Sequence, residues 1–331
     1  MTNGARSSLV AANDRVFGIG GPARMMLIFG FVLVFMFAIS VTAQEIIPLY
    51  PVGKMPNSKG MELKQEMREE RIYETGPPVV RAYLPPATKN TGAALLIIPG
   101  GGYGRIAYQN ARTNVANWLN SIGIAAFALD YRLPTSPDLI KKEIGPLQDA
   151  QRAMRLIRSN AKKWNINPEK VGVMGTSAGG HAATFIATTM DDLDKVGDDV
   201  DKLPFTPNFV ILASPVITMG EFAHGGSKRN LLGEKPSSEL IEKYSTERHV
   251  SAKTPPTFIF LASDDQSVSP KNSTAFYAAL LDKKVSATLH IFPTGGHSIP
   301  VQNGPGSSSL WAKLCELWLV EMKFIPAVTS K

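Results

Sequence analysis

Cysteine is almost missing from this chain: Cys315 is the only one among 331 residues. No disulfide can close within the chain, and no paired-cysteine metal or redox site can form. Cys315 lies in Leu310-Trp311, then Leu314-Cys315, then Trp318. That is the spacing of one apolar helical face, so it predicts core packing rather than a nucleophile. Runs of like charge are missing too. The formal net charge is +7, yet nowhere do five or six basic residues stand together, and part of the excess comes from Arg6, Arg15 and Arg24 against Asp14. A nucleic-acid arm is therefore not encoded, and no nucleic-acid partner is expected. The patterns H-E-x-x-H, G-x-x-x-x-G-K-[ST] and a regular G-x-G-x-x-G are all absent. Their absence removes the common zinc-protease and phosphate-loop readings, so neither metal nor cofactor is expected. Internal repeats and low-complexity tracts are lacking as well. The 44% apolar and 19% charged residues that remain are the composition of a folded globular protein.

What is present begins with an apolar run from Met25 to Val41, interrupted only by Gly30 and Ser40. Arg15 and Arg24 precede it, and Val41-Thr42-Ala43 follows, placing small residues where a signal peptidase cuts, before Gln44. This order of charged, apolar and small-residue regions is that of a secretory signal over residues 1–43, which predicts an exported protein, periplasmic or secreted. An uncleaved membrane anchor over residues 25–41 is the alternative, since about 17 residues is near the lower limit for a span. Residues 44–76 are rich in Pro, Gly and Lys with weak periodicity, and read as a segment wrapping a domain at 77–331.

Within that domain, strands and helices alternate. Apolar runs at Ala93–Ile98, Ile124–Leu129, Val171–Met174, Phe209–Ala213, Phe258–Leu261 and Thr288–Phe292 predict buried strands. Helical periods are expected over Asn110–Ser121, Leu147–Trp164, Ala178–Thr188, Thr274–Leu281 and Leu310–Met322. Strands apolar on both faces between amphipathic helices predict an α/β fold, a mostly parallel sheet of about eight strands covered on both sides. The polar interruption at about 215–256, with a short helix near Ser237–Tyr244, reads as a small cap insertion.

One stretch carries chemistry. Val171 to Gly180 is a strand that runs into Gly175-Thr176-Ser177-Ala178-Gly179 and then a helix. A serine at the tip of a strand-to-helix turn needs strained backbone, and glycines two residues to either side let the two elements approach. The helix start behind Ser177 offers positive potential and free N–H groups to a developing oxyanion. Pro99-Gly100-Gly101-Gly102-Tyr103 ends an earlier strand, and the N–H groups of Gly101, Gly102 and Ala178 are the expected oxyanion donors. A hydroxyl needs a base. His297, in the Gly295-Gly296-His297 loop after the last strand, is the choice among five histidines. His290 reads as structural and His181 as bracing the turn, while His224 and His249 fall in the cap. The orienting acid should follow an earlier strand: Asp265 fits the Asp-x-x-Val register, with Asp264 in reserve. Asp130 and Asp149 are expected to pair with nearby arginines such as Arg132 and Arg152.

With these residues in place, the chain resembles the acetyl esterase and acetyl xylan esterase branch of the α/β-hydrolases, including the bifunctional feruloyl and acetyl xylan esterases. The resemblance rests on Pro99–Gly104, Asp130–Leu133, Gly175–His181, Ser227–Gly233, Ala262–Pro270 and Gly295–His297, and spans about residues 48–322. Pro99 departs from the histidine of many relatives, and Ser269 from a more usual valine. The resemblance implies a Ser177–His297–Asp265 acyl transfer releasing short acyl groups from a plant-type polysaccharide or its oligosaccharides. Tyr103 and His224 are expected on the alcohol side of the substrate. A general short-chain carboxylesterase or lipase would keep the same triad, and a serine peptidase shares the serine turn. A glycosidase would need two opposed carboxylates, and no such pair stands out. A non-catalytic binder would have little use for the strained turns.

Overall fold

The computed structural model describes residues 45–107, 109–193 and 195–327. The apolar run at 25–41, and with it the expected signal or anchor, lies outside these residues. Among the described residues no helix is long and apolar enough to cross a membrane.

In chain order the strands are β1 (Ile46–Pro48), β2 (Glu66–Arg68), β3 (Arg71–Glu74), β4 (Val79–Tyr83), β5 (Ala94–Ile98), β6 (Ile106–Ala107), β7 (Ala125–Asp130), β8 (Val171–Thr176), β9 (Val210–Ala213), β10 (Thr257–Ala262) and β11 (Ala287–Phe292). The helices are α1 (Val115–Ser121), α2 (Gly145–Ser159), α3 (Ala178–Thr188), α4 (Gly225–Leu232), α5 (Ser238–Lys243), α6 (Lys271–Asp282) and α7 (Trp311–Glu321). Eight strands form one sheet in the order β1-β4-β7-β5-β8-β9-β10-β11. The two pairings at the β1 edge are antiparallel and the rest are parallel. Strands β5, β7, β8, β9 and β10 are buried at every residue, as expected where helices cover both faces.

Alternation in β5 divides the core. Leu96 and Ile98 face a cluster that includes Leu147 of α2, Phe185 of α3 and Phe276 of α6. Leu95 and Ile97 face Leu119 of α1 together with Trp311 and Cys315 of α7. Cys315 is buried in that second cluster, and burial holds its thiol well above the ordinary value. After β5 the chain crosses to β7 on one side, then returns to β8 on the other. The ends of β5 and β8 therefore meet at the reversal of strand order, where open α/β sheets place their ligands.

The expected helix at Leu147–Trp164 stops at Ser159. Asn160 caps it, its side-chain Nδ2 donating to the Leu156 carbonyl at 2.9 Å. Ala161 and Trp164 stay buried in the turn that follows, which is why the apolar pattern ran on. The expected Asn110–Ser121 helix begins with a π-helical stretch, Gln109–Asn114, before α1. Strands β1 to β4 and β6 were not anticipated. Of these, β1 and β4 extend the main sheet, while β2, β3 and β6 form a second, three-stranded one.

Buried ion pairs lock the N-terminal segment down. Asp149 is fully buried and takes the guanidinium of Arg132 at 2.7 Å and the hydroxyl of Tyr50 at 2.8 Å. Arg132 also donates to the Pro56 carbonyl at 2.6 Å, and Arg152 to that of Leu49 at 2.9 Å. Asp130 does not pair with Arg132 as expected. It takes Arg81 at 2.8 Å, within reach because β4 lies beside β7, and Arg112 from the π-helical stretch before α1. Nor does Arg152 serve either aspartate; it binds Asp198 and Asp201. In the stretch read as a cap, Val216, Ile217, Met219 and Leu231 are buried in the same cluster as α2 and α3.

Candidate active site

Ser177 stands between β8 and α3 with φ 55° and ψ −123°, a conformation that costs a residue with a side chain on the order of 1–3 kcal/mol. Its surroundings hold it there. The Ser177 N–H donates to the Ala213 carbonyl at 3.1 Å, and its own carbonyl accepts from Gly180 and Val216, each at 2.9 Å. The flanking glycines let the elements close up. A Cβ on Gly175 would lie 2.3 Å from the Gly179 carbonyl oxygen, and one on Gly179 would lie 2.0 Å from that of Ile98. Ala178, fully buried, begins α3, so its N–H has no intrahelical partner.

The glycine loop lies against this turn. A Cβ on Gly100 would meet the Ser177 Cβ at 2.8 Å. The Gly100 carbonyl accepts from Ala107 at 2.9 Å, and that of Gly101 from Gly104 at 3.2 Å. A trans peptide sets each N–H opposite the preceding carbonyl, so the N–H groups of Gly101 and Gly102 point away from these internal bonds. Gly101 has φ +134°, and a Cβ there would sit 2.0 Å from the Arg105 carbonyl, so only glycine fits. Asn230 of α4 donates to the Gly102 carbonyl at 2.8 Å, fixing that peptide from the opposite side.

Tyr103 does not face the alcohol side, contrary to expectation. With φ 60° its side chain turns inward and is fully buried. Its hydroxyl donates to His181 Nδ1 at 2.8 Å, while His181 Nε2 donates to the Tyr244 carbonyl at 2.8 Å. Burial pushes His181 down to about 4, which keeps the ring neutral in this bridge from the glycine loop through α3 to Tyr244.

The end of β10 presents Asp264 and Asp265 to the loop after β11. Asp265 Oδ2 accepts from His297 Nδ1 at 2.7 Å, and its Oδ1 accepts from the N–H groups of Ser267 and Val268. Burial pushes the Asp265 carboxyl up. The bonds from His297 and these amides outweigh that push and hold it below the ordinary carboxylate value. Asp264 instead accepts from the N–H groups of Gly295 and Gly296, bracing the loop that carries His297. His224 caps α4, with Nδ1 accepting from the Ser227 N–H at 3.1 Å, which leaves Nε2 as its donor. Burial, then the neighbouring His297, lowers its pKa. His290 stays within β11 beside Phe258, and His249 donates to the Glu242 carbonyl.

Ser177, His297, Gly101, Gly102 and His224 all line one cavity of about 590 Å³. Met174, Phe260 and Trp311 form part of its wall, and Arg71, Arg105, Arg229 and Asn230 also reach it. Those four polar residues escaped the sequence reading. Asn230 lies within Ser227–Gly233, a stretch that carried the resemblance but had no role assigned. Such a constellation can polarise an ester or amide carbonyl and form an acyl group on the serine. Among the described residues no group of three His, Cys, Asp or Glu side chains converges as a metal site would require.

The family model BD-FAE matches residues 81–280. Over 211 residues the chain is 37% identical to endo-1,4-beta-xylanase B of Butyrivibrio fibrisolvens, covering 63% of this chain and 33% of the xylanase. It is also 37% identical over 212 residues to an acetylxylan esterase of Xylanibacter ruminicola, covering 62% of this chain and 41% of that protein. The chain thus spans well under half the length of either. Among solved structures it is similar to an acetyl ester-xyloside bifunctional hydrolase from Caldicellulosiruptor lactoaceticus, at 39% identity and a TM-score of 0.72, covering 85% of this chain and 97% of the other. With more than half of its length matched by the family model and its strands in this order, the chain belongs to the BD-FAE family of α/β-hydrolases.

Proposed function

We propose that the protein is an exported serine esterase, a carboxylic ester hydrolase that removes short acyl groups, acetyl above all, from xylan-type polysaccharides or their oligosaccharides. In this reading Ser177 Oγ attacks the ester carbonyl while His297 takes its proton. Asp265 orients the imidazole and stabilises its charged form without itself taking up the proton. The N–H groups of Gly101, Gly102 and Ala178 hold the oxyanion, and loss of one such donor costs on the order of 3 kcal/mol of transition-state stabilisation. His297 then returns the proton to the leaving alcohol, and water releases the acyl group by the reverse path.

The observation that carries this reading is the 2.7 Å bond from His297 to Asp265, in a cavity shared with a serine held at φ 55°. Support for the polysaccharide comes from the named relatives, two of which are called an acetylxylan esterase and an acetyl ester-xyloside hydrolase. Export rests on the pattern of residues 1–43 alone. The test is release of acetate from acetylated xylan, with a feruloyl ester and p-nitrophenyl acetate alongside, by wild type and Ser177→Ala. Acetate release from xylan that disappears in the variant is the expected result. Turnover of p-nitrophenyl acetate alone would leave a general short-chain carboxylesterase, and undiminished turnover in Ser177→Ala would remove the mechanism.

A further inference from the structure

The cavity at Ser177 is chemically lopsided. Met174, Phe260 and Trp311 line its inner wall and are almost wholly buried. Its mouth carries Arg71, Arg105 and Arg229, all exposed, and among the described residues no aspartate or glutamate lines it. Three separate parts of the chain bring these cations together. Arg71 comes from β3, in the N-terminal segment, and pairing with β6 sets it opposite Ala107, two residues from Arg105. Arg105 follows the glycine loop, and Arg229 precedes the Asn230 that holds Gly102. Arg229 has an exposed Glu234 carboxylate 3.7 Å away. Neither Arg71 nor Arg105 has a side-chain hydrogen bond or ion pair to any described residue.

Three guanidinium groups gathered at one cleft, two of them without a carboxylate, repel one another and focus a positive potential into it. Five arginines elsewhere among the described residues, Arg81, Arg112, Arg132, Arg152 and Arg155, each hold a carboxylate instead. We propose that the mouth recognises a carboxylate on the alcohol part of the ester, so that the preferred substrates are esters of acidic carbohydrate, bearing a uronic acid near the acyl group, rather than of neutral carbohydrate. This rests on the reading of the Ser177 site as an esterase and narrows its substrate class. The charge belongs to the alcohol because the inner wall is apolar and would strip a carboxylate of water without returning a partner. An uncharged acyl group enters that end. The alcohol stays at the mouth, where the planar donor forks of arginine match a carboxylate.

The test compares 3-acetoxybenzoate with 3-acetoxybenzamide, which release the same acetyl group and differ in the charge on the alcohol. The quantity read is the ratio of their kcat/KM values in wild type, R71Q/R105Q and R71K/R105K. At low salt the wild-type ratio should exceed that of the glutamine variant at least about fivefold, with the gap closing as NaCl rises to about 0.5 M. The lysine variant, which keeps the charge but not the planar fork, should fall between the two, above the glutamine variant and below wild type. Equal ratios in wild type and R71Q/R105Q, or a lysine variant no better than the glutamine one, would overturn the proposal. Titration calorimetry of Ser177→Ala with xylo-oligosaccharides carrying or lacking a glucuronic acid reads the same preference without turnover. Tighter binding of the acidic oligosaccharide supports it, and equal or weaker binding rejects it. If wild type hydrolyses neither aryl acetate, the esterase reading fails, while calorimetry still decides the anion preference.

Discussion

Asp264 and Asp265 are neighbours at the end of β10, yet their carboxylates point to different tasks. One ties down Gly295 and Gly296, the other meets His297. Replacement of Asp265 by Asn leaves the loop in place but favours the wrong imidazole tautomer, so kcat should fall by roughly 10³–10⁴-fold. Asp264→Asn keeps an acceptor oxygen for the closer amide, that of Gly296, loses only the longer bond to Gly295, and should cost less than about tenfold. Steady-state kinetics on p-nitrophenyl acetate separates the two, and an equal loss in both variants would contradict this division. The motif register pointed to Asp265, but one residue along a chain reverses side-chain direction, so which carboxylate faces the histidine is a property of the folded loop. Tyr103 shows the limit more sharply. Its position after the glycines suggested a substrate contact, but its positive φ turns the ring into the core, and φ cannot be read from residue type.

At the scale of elements, the turn between β8 and α3 is where sequence and structure agree most closely. The spacing Gly175, Ser177, Gly179 already implied close approach, and the 2.3 Å and 2.0 Å separations that a Cβ would have there show how little room exists. Both obstacles are backbone oxygens that cannot swing aside. Gly179→Ala should therefore destabilise the protein by about 2–4 kcal/mol through forced separation of α3 from the end of β5, read as a lower urea midpoint with unchanged slope. A loss under about 0.5 kcal/mol would mean that the turn yields easily. The buried strands and long helices were legible because burial on both faces, or on one helical face, leaves a periodic trace. Strands β1, β2, β3 and β6 left none, being two to four residues long. Partners distant in sequence create them: β1 exists because β4 offers it an edge.

For the whole molecule, the buried bridge at His181 makes stability depend on pH. The folded-state value is about 4 against 6.5 for the free side chain, so between these values the unfolded chain binds a proton that the folded one refuses. Stability is fully present above about pH 6.5 and declines as pH falls toward 4, by on the order of 3 kcal/mol. The depressed Asp265 acts in a lower window, losing its contribution only below the ordinary carboxylate range. His181→Gln retains a donor and an acceptor but does not titrate. The stability advantage of wild type over this variant, measured by urea unfolding, should shrink between pH 7 and pH 4.5, and a constant gap would refute the linkage. The sequence by itself determined the α/β architecture, the serine turn, the glycine loop and the histidine loop, because each depends on local periodicity or on glycine at fixed spacing. The tertiary structure alone decided that Asp264 braces the histidine loop, that Tyr103 braces the core, and that three arginines from distant parts of the chain share one cleft. These depend on φ angles, on pairings between strands remote in sequence and on the direction of single side chains, none of which has a local pattern to betray it.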